Sequence, residues 1–371
     1  MSLKLAALAA VLCLAPCATA QDTPQAPDSK PAAATPATTP APPPAYLADP
    51  KFQAAFADAK QLLQHRQVDF AADAYKKANK IANGQCVECL TGIYAVRMDQ
   101  HDYKAAEAAC TALLAVVTNP RDKANAGARL ARAQYYQAGD KPKPAQLEAV
   151  HATLQQALAA NPKNPTALFL DGEVLARLGK LDDSKAAFEQ CASCMSPRDP
   201  ALLRTRHFAE NPELSTHKMA PPVVVTALDG TRFNLDAMSG RVVLIDFWAT
   251  WCGPCNEELP EMKRMAKEFA GQPLVIISVS WDQDPQAWKD FVQKNEMTWV
   301  QYRDADKALT NAFGVEAIPH YFTIDSDGVL TSEMVGSGSN VEGKLKKLIA
   351  RARESQSTPR STPPLTATSG N

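Results

Sequence analysis

Neither sign of charge is in excess in this sequence, and no histidine has the spacing of a metal-ligand pair. The 39 Lys and Arg residues balance 40 Asp and Glu residues, whereas nucleic-acid binders usually carry a basic excess or a basic face. Glycine is scarce, at 16 residues against 28 prolines. Nine cysteines are too few for a disulfide-stapled miniprotein, yet many for an ordinary cytosolic enzyme. We therefore expect no nucleic-acid partner, no metal and no other cofactor, and we look for chemistry among the cysteines.

Residues 1–20 are typical of a secretory signal. Lys4 supplies a positive start, an apolar run follows over 5–16, and 18–20 fit the small-residue cleavage pattern. The run is shorter than the roughly 20 apolar residues that a membrane-spanning helix needs. We expect cleavage before Gln21 and a periplasmic or otherwise extracytoplasmic protein, with a membrane anchor facing the periplasm as the alternative.

Composition separates two spacers from the rest of the chain. Residues 21–49 are rich in Pro, Ala and Thr, and residues 353–371 are rich in Ser, Thr and Pro. Neither segment can bury enough apolar surface to fold, so we expect both to be disordered, the first as an extended linker. The length between them fits two domains of ~150 residues.

Residues 50–197 are predicted to be helical throughout and to repeat with a period of about 34 residues. The clearest copy contains Gly172, Gly179, Phe188 and Pro197, and this pattern of small and aromatic residues resembles the tetratricopeptide repeat. The resemblance implies roughly four stacked helix pairs, whose concave surface would bind a protein partner. A generic array of helical hairpins is the alternative.

A connector over 198–215 leads to a C-terminal domain over 216–352. Short apolar runs rich in β-branched residues alternate there with helical patterns, which indicates a sheet covered by helices on both faces. The predicted strands lie at 223–225, 242–245, 274–277 and 321–324, and the predicted helices lie near 254–270, 285–294, 304–313 and 340–352. The predicted fold class is therefore two-domain, with an all-α helical repeat array followed by an α/β domain.

The strongest chemical signal is Cys252-Gly253-Pro254-Cys255, which follows a buried strand and opens a helix. The first thiol would lie at the positive end of the helix dipole, where backbone N–H groups are free. Both effects stabilise a thiolate, which is the reactive species of cysteine. Pro254 suits the first turn because its missing donor would have no partner there. The spacing keeps the second thiol within bonding distance of the first.

This motif resembles the thioredoxin superfamily, and residues 216–352 are most similar to its periplasmic TlpA and ResA branch. The resemblance implies a thiol-disulfide oxidoreductase with a thioredoxin-like fold. Cys252 would be the exposed attacking thiol, Cys255 the buried resolving thiol, and Trp251 would flank the site. It also implies protein thiol or disulfide clients, a membrane thiol-electron carrier as reductant, and a place in cytochrome c biogenesis.

The resemblance also assigns two acidic residues. Asp246 matches the buried acid of cytosolic thioredoxins, and Glu258 matches an acid of the ResA-like branch. Either carboxylate could accept the proton of Cys255 when a mixed disulfide is resolved. For Glu258 the alternative is a first-turn glutamate that complements the helix dipole.

Ile318-Pro319, just before a predicted strand, matches the family's cis-proline landmark. The resemblance implies that it faces the cysteine pair and leaves the Ile318 backbone free to bind an extended client segment, as an added strand would. An ordinary trans turn is the alternative. His320 follows, and we expect a packing or solvated histidine there. Gly253-Pro254 and Ile318 resemble thioredoxin more than the strong oxidants, which favours a reducing or isomerising role.

Three further cysteine sites lie in the helical region. Cys86 and Cys89 form one CxxC pair, Cys191 and Cys194 form another, and Cys110 is left over. A four-cysteine zinc site usually places its second pair about 15–20 residues after the first, so zinc is disfavoured. Local structural or redox disulfides are expected, with buried hydrophobic thiols as the alternative. One of these pairs could exchange electrons with Cys252.

Other functions fit the motifs less well. A copper chaperone could bind Cu(I) through Cys252 and Cys255, since thiolates select this ion, although its relatives use a wider cysteine spacing and a distant histidine. A peroxidase would need a threonine two residues further from its cysteine than Thr250 is. A further alternative is an interaction scaffold, in which the helical repeats would carry the function and the redox domain would be incidental.

Overall fold

The computed structural model describes residues 44–357. The predicted signal at 1–20 lies outside these residues, as do 21–43 of the predicted linker and 358–371 of the predicted tail. The described chain forms two compact units, which divide between Asp140 and Lys141. No helix within 44–357 is long and apolar enough to cross a membrane.

The first unit consists of helices that each pack against the next one in the chain. A 3₁₀ turn at Ala45–Ala48, inside the predicted linker, precedes α1 (Pro50–Gln64), α2 (Val68–Ile81), α3 (Val87–Asp99), α4 (Tyr103–Val116) and α5 (Pro120–Gln137). Asp49 caps α1 and Asn119 caps α5, each before a proline at the first position, which is where proline costs no hydrogen bond. The core between the helices is made of alanines and larger residues such as Phe52, Tyr75 and Leu113.

The second unit begins with four more helices. These are α6 (Pro144–Ala160), α7 (Pro165–Arg177), α8 (Leu181–Cys194) and α9 (Leu202–Glu210). Gly172 on α7 lies so close to the ring of Phe188 on α8 that a Cβ there would be 2.7 Å from a ring carbon. The small residue therefore allows this aromatic to be fully buried. A helical array before an α/β domain is confirmed.

The residues predicted as a connector, 198–215, are packed structure. They hold α9 and most of a 3₁₀ helix, Pro212–Thr216, which contact α8 and α7 respectively. Phe208 on α9 packs with Phe188, with Met219 beside them. Arg204 on α9 donates to Asp236 at 2.6 Å, which ties the helices of this unit to its α/β part.

The α/β part is a mixed five-stranded sheet with a separate small hairpin. The hairpin is β1 (Val224–Thr226) with β2 (Arg232–Asn234). The sheet contains β3 (Val242–Trp248), β4 (Leu274–Ser280), β5 (Val300–Arg303), β6 (His320–Ile324) and β7 (Leu330–Val335), and the helices are α10 (Gly253–Glu268), α11 (Pro285–Lys294), α12 (Ala308–Phe313) and α13 (Val341–Ser357). The strand order is β5-β4-β3-β6-β7. Strands β3, β4 and β5 are parallel to one another, β6 is antiparallel to β3, and β7 is antiparallel to β6. Helix α13 extends beyond residue 352, into the predicted tail.

Strand β3 is central, and every one of its side chains is buried. Alternate residues face opposite sides of the sheet. Val243, Ile245 and Phe247 join one core, whereas Val242 and Leu244 join the other, with residues of α10 and α13. Asp246 continues the second row, so the fold places its carboxyl on the same side of the sheet as α10.

Candidate active site

The cysteine pair lies where β3 passes into α10. Cys252 is the residue that caps α10, and its Sγ accepts a hydrogen bond from the N–H of Cys255 at 3.2 Å. The two cysteines form a disulfide, with their Cα atoms 5.3 Å apart. Pro254 occupies the first turn, where its missing N–H has no intrahelical role. This is the local geometry that the motif predicts.

Both cysteines are buried in the disulfide form, at 5% exposure for Cys252 and 7% for Cys255. The resemblance predicts an exposed Cys252, and this prediction is wrong for the disulfide form. The reason is an apolar cluster around the bond, to which Trp248 and Trp288 belong and in which Ile318 packs. Trp251, beside the pair, is 65% exposed, and Gly253 and Pro254 between the cysteines are exposed as well.

Asp282 fixes the loop that carries the pair. Its carboxylate accepts hydrogen bonds from the Thr250 N–H at 3.0 Å and the Thr250 Oγ at 2.5 Å. Ser280 donates to it as well, at 2.7 Å, and Asp282 is only 3% exposed. Sequence analysis missed this residue. The available signal was an acid just after a buried parallel strand, since the carboxyl ends of parallel strands meet at one edge of the sheet.

Asp246 lies beneath the cysteines, fully buried. Its Oδ2 accepts a hydrogen bond from Ser278 Oγ at 2.9 Å, and Trp299 Nε1 donates to the same hydroxyl at 2.8 Å. Burial raises the pKa of Asp246 to about 7, with the Ser278 hydrogen bond opposing the rise and Glu258 adding to it. A carboxyl with this pKa is part protonated and part ionised at neutral pH.

Asp246 and Cys255 line the same cavity, of ≈ 10 Å³, together with Trp248 and Tyr321. That volume holds about one water molecule. The indole N–H of Trp248 is buried and has no hydrogen-bond partner within residues 44–357. The cavity therefore places Cys255 and an ionisable carboxyl side by side.

Glu258 lies on α10, one turn after Cys255, and is half-buried. Its carboxylate accepts a hydrogen bond from the Gly338 N–H at 2.7 Å, in the loop between β7 and α13. This contact anchors the loop to α10. Glu258 does not line the cavity that Cys255 and Asp246 share, so the structure separates the two acids that the sequence left as alternatives.

The Ile318–Pro319 peptide bond is cis. The Pro319 carbonyl accepts from the Gly336 N–H at 2.9 Å, whereas no backbone group of residues 44–357 pairs with the Ile318 backbone. The Ile318 side chain packs against the cluster that contains both active-site cysteines. His320 is a packing residue, stacked on Phe322 and bonded to Glu333 at 3.1 Å.

The helical region holds cysteines in two states. Cys86 and Cys89 form a disulfide at the start of α3, where Cys86 Sγ accepts from the Cys89 N–H at 3.1 Å, and both are completely buried. Cys110, Cys191 and Cys194 are free. Within 44–357, no group of three or more His, Cys, Asp or Glu side chains could hold a metal ion.

The raised pKa of Asp246 predicts a specific pH dependence of stability. The folded chain retains a proton that the unfolded chain releases above the ordinary pKa of 3.8. Stability from this group is therefore complete below that value and is lost as the pH rises to about 7, by about 1.4 kcal/mol per pH unit. We expect Asp246→Asn to flatten the curve of unfolding free energy against pH over this window. Urea unfolding of the oxidised protein measures it.

The matched control is Asp58→Asn, an exposed carboxylate on α1. It should retain the parent curve. Equal slopes for the parent and Asp246→Asn would show that Asp246 ionises normally in the folded protein.

Comparison with known proteins places the α/β part in a family. The redoxin family profile matches residues 215–349. The thiol-disulfide oxidoreductase ResA of Bacillus thuringiensis (strain Al Hakam) is 32% identical over 143 residues, which are 38% of this chain and 83% of that protein. ResA of Bacillus subtilis (strain 168) is 28% identical over 130 residues, 35% of this chain and 73% of that protein. A solved thiol-disulfide oxidoreductase from Bacteroides fragilis is 26% identical with a TM-score of 0.33, covering 35% of this chain and 99% of that one. Through its α/β domain, the chain belongs to the ResA-like thiol-disulfide oxidoreductases of the thioredoxin superfamily.

Proposed function

We propose that this protein is an exported thiol-disulfide oxidoreductase that reduces or isomerises disulfides of protein clients through Cys252 and Cys255. The observation that carries the proposal is the Cys252–Cys255 disulfide at the start of α10. The cis Ile318–Pro319 bond and the unpaired Ile318 backbone support a docking strip beside it.

In the reducing direction, the Cys252 thiolate attacks one sulfur of a client disulfide, and the other client sulfur leaves as a thiolate. Cys255 then loses its proton and attacks Cys252 Sγ, which releases the second client sulfur. Two electrons pass to the client, whose thiolates take up protons, and the protein is left with the disulfide seen here. A membrane thiol-electron carrier returns the two electrons.

The Cys255 N–H lowers the energy of the attacking thiolate. It points at Cys252 Sγ from 3.2 Å in the disulfide form, and the helix dipole adds to its effect. The exposed Trp251 offers an apolar contact for a client beside the buried disulfide. An extended client segment would pair with the open Ile318 backbone, as an added strand does.

Replacing the resolving cysteine should trap clients. In a Cys255→Ser variant the mixed disulfide at Cys252 forms but cannot be released, so covalent complexes should accumulate in cells. Non-reducing gels followed by mass spectrometry measure them. Cys252→Ser is the matched control, because serine is also a good helix cap and cannot form the mixed disulfide. A Cys255→Ser variant without complexes would contradict the proposed exchange.

The cavity that Asp246 shares with Cys255 supports Asp246 as the group that accepts the proton. Removing a general base costs typically 10²- to 10⁴-fold in rate, so Asp246→Asn should slow release of a mixed disulfide by about 100-fold and remove its pH dependence near 7. Stopped-flow release of a model client measures this step. Glu258→Gln should have a much smaller effect, because Glu258 binds the Gly338 N–H instead. The reverse order of effects would transfer the role to Glu258.

Export and the direction of electron flow are the remaining parts of the proposal. The signal-like residues 1–20 support a periplasmic location, and cytochrome c precursors are the client class that ResA-like proteins suggest. We expect a reduction potential near the roughly −270 mV of thioredoxin, because the Gly253-Pro254 pair is shared, and far from the roughly −120 mV of DsbA. Equilibration with glutathione measures the potential, and cell fractionation tests export. A DsbA-like potential would reverse the proposed direction.

A further inference from the structure

Three sulfur-containing residues that the disulfide exchange does not use follow one another at the carboxyl end of α8, namely Cys191, Cys194 and Met195. Cys191 Sγ is 3.9 Å from Met195 Sδ. Cys194 is three residues after Cys191, which places the two on the same face of the helix. Both cysteines are free thiols, so all three sulfurs have lone pairs available for a ligand.

The cluster has a buried base and a reachable rim. Cys191 is 1% exposed, and its thiol donates to the Pro165 carbonyl at the start of α7, at 3.2 Å. Cys194 and Met195 are half-buried. An ion could therefore approach from the side of Cys194 and Met195 and be bound against Cys191, away from bulk water.

Cys191 and Cys194 differ from the other two CxxC pairs in the end of the helix that they occupy. Cys86 and Cys252 each cap the amino end of a helix and accept a backbone N–H, and both pairs are disulfides. Cys191 and Cys194 lie at the carboxyl end, where the dipole is negative and disfavours a bare thiolate. A bound cation would offset this unfavourable charge.

The donor set selects the kind of cation. Thiolate and thioether sulfurs prefer soft ions, Cu(I) above all. Bonds of roughly 2.3 Å from sulfur to a three-coordinate ion place the sulfurs about 4 Å apart, which agrees with the 3.9 Å between Cys191 and Met195. Zinc takes four ligands, usually in a tetrahedron. Within 44–357 no third His, Cys, Asp or Glu joins the two cysteines to make such a set.

We propose that Cys191, Cys194 and Met195 form a Cu(I)-binding site in the helical region, separate from the redox-active pair. Each cysteine that binds releases its proton to solvent, and copper stays Cu(I), so no electron is transferred. The site differs from copper binding by Cys252 and Cys255, which are joined to each other in the disulfide form.

The test is an anaerobic titration of the full chain with Cu(I) against a colorimetric Cu(I) chelator. A Cys252→Ser/Cys255→Ser background removes the redox pair, and no reductant is added, so the buried Cys86–Cys89 disulfide stays closed. We expect Cys194→Ser to bind one Cu(I) fewer per chain than this background. Met195→Leu should weaken the binding of that Cu(I) by more than about 100-fold. Loss of a contact outside the ligand set costs no more than roughly 100-fold in metal affinity.

Cys110→Ser is the matched control, because Cys110 is a buried free thiol on α4, outside the cluster. It should bind as much Cu(I) as the background, with unchanged affinity. Equal stoichiometry in Cys194→Ser and Cys110→Ser would overturn the proposal, and so would an unchanged affinity in Met195→Leu. Tighter binding of Zn(II) than of Cu(I) by the same cluster would overturn the choice of ion.

Discussion

The proposed chemistry of this protein depends on one amide, the N–H of Cys255. It donates to Cys252 Sγ because α10 begins directly after the loop that follows β3. A helix can start there only if the strand before it is fixed, and β3 is buried along its whole length. Asp282 then holds Thr250 from the neighbouring strand's end. The hydrophobic sheet therefore sets the position of the hydrogen bond from the Cys255 N–H to Cys252 Sγ.

The same strand imposes the opposite effect on a carboxyl. Two residues before its end, Asp246 faces the side of α10, and burial there makes ionisation costly. One short segment thus holds Cys252, whose Sγ accepts the Cys255 N–H, and Asp246, whose charged form is disfavoured by burial. Burial raises the pKa of Asp246 to about 7, so its carboxyl can take up or release a proton near neutral pH. Asp246 shares its small cavity with Cys255, the thiol that loses its proton in the proposed mechanism.

Much of this site could be predicted from the sequence, because its signals are local. Cys252 and Cys255 are only three residues apart, and the buried strand before them is a continuous apolar run. The strands β2, β5 and β7 were harder: β7 alternates half-buried with exposed residues and lies at an edge of the sheet. Asp282 was missed because its importance comes from contacts with Thr250, 32 residues earlier in the chain.

The state of the helical cysteines could not be read from spacing either. Cys86–Cys89 and Cys191–Cys194 have the same spacing, yet only the first pair is bonded. The first pair lies at the start of a helix and the second at the end of one, so spacing alone does not decide whether two cysteines are bonded. The fully buried Cys86–Cys89 bond is also out of reach of solvent reagents, unlike Cys194.

The contact between Arg204 and Asp236 changes where this chain can be divided. A fragment that starts at residue 216 would leave Asp236 without its guanidinium partner and would uncover Met219, which packs beside Phe208. Loss of one member of a buried ion pair is costly, and fresh apolar surface promotes self-association. The natural cut for a soluble catalytic fragment is therefore between Asp140 and Lys141, and helices α6 to α9 travel with the enzyme as an integral part of its body.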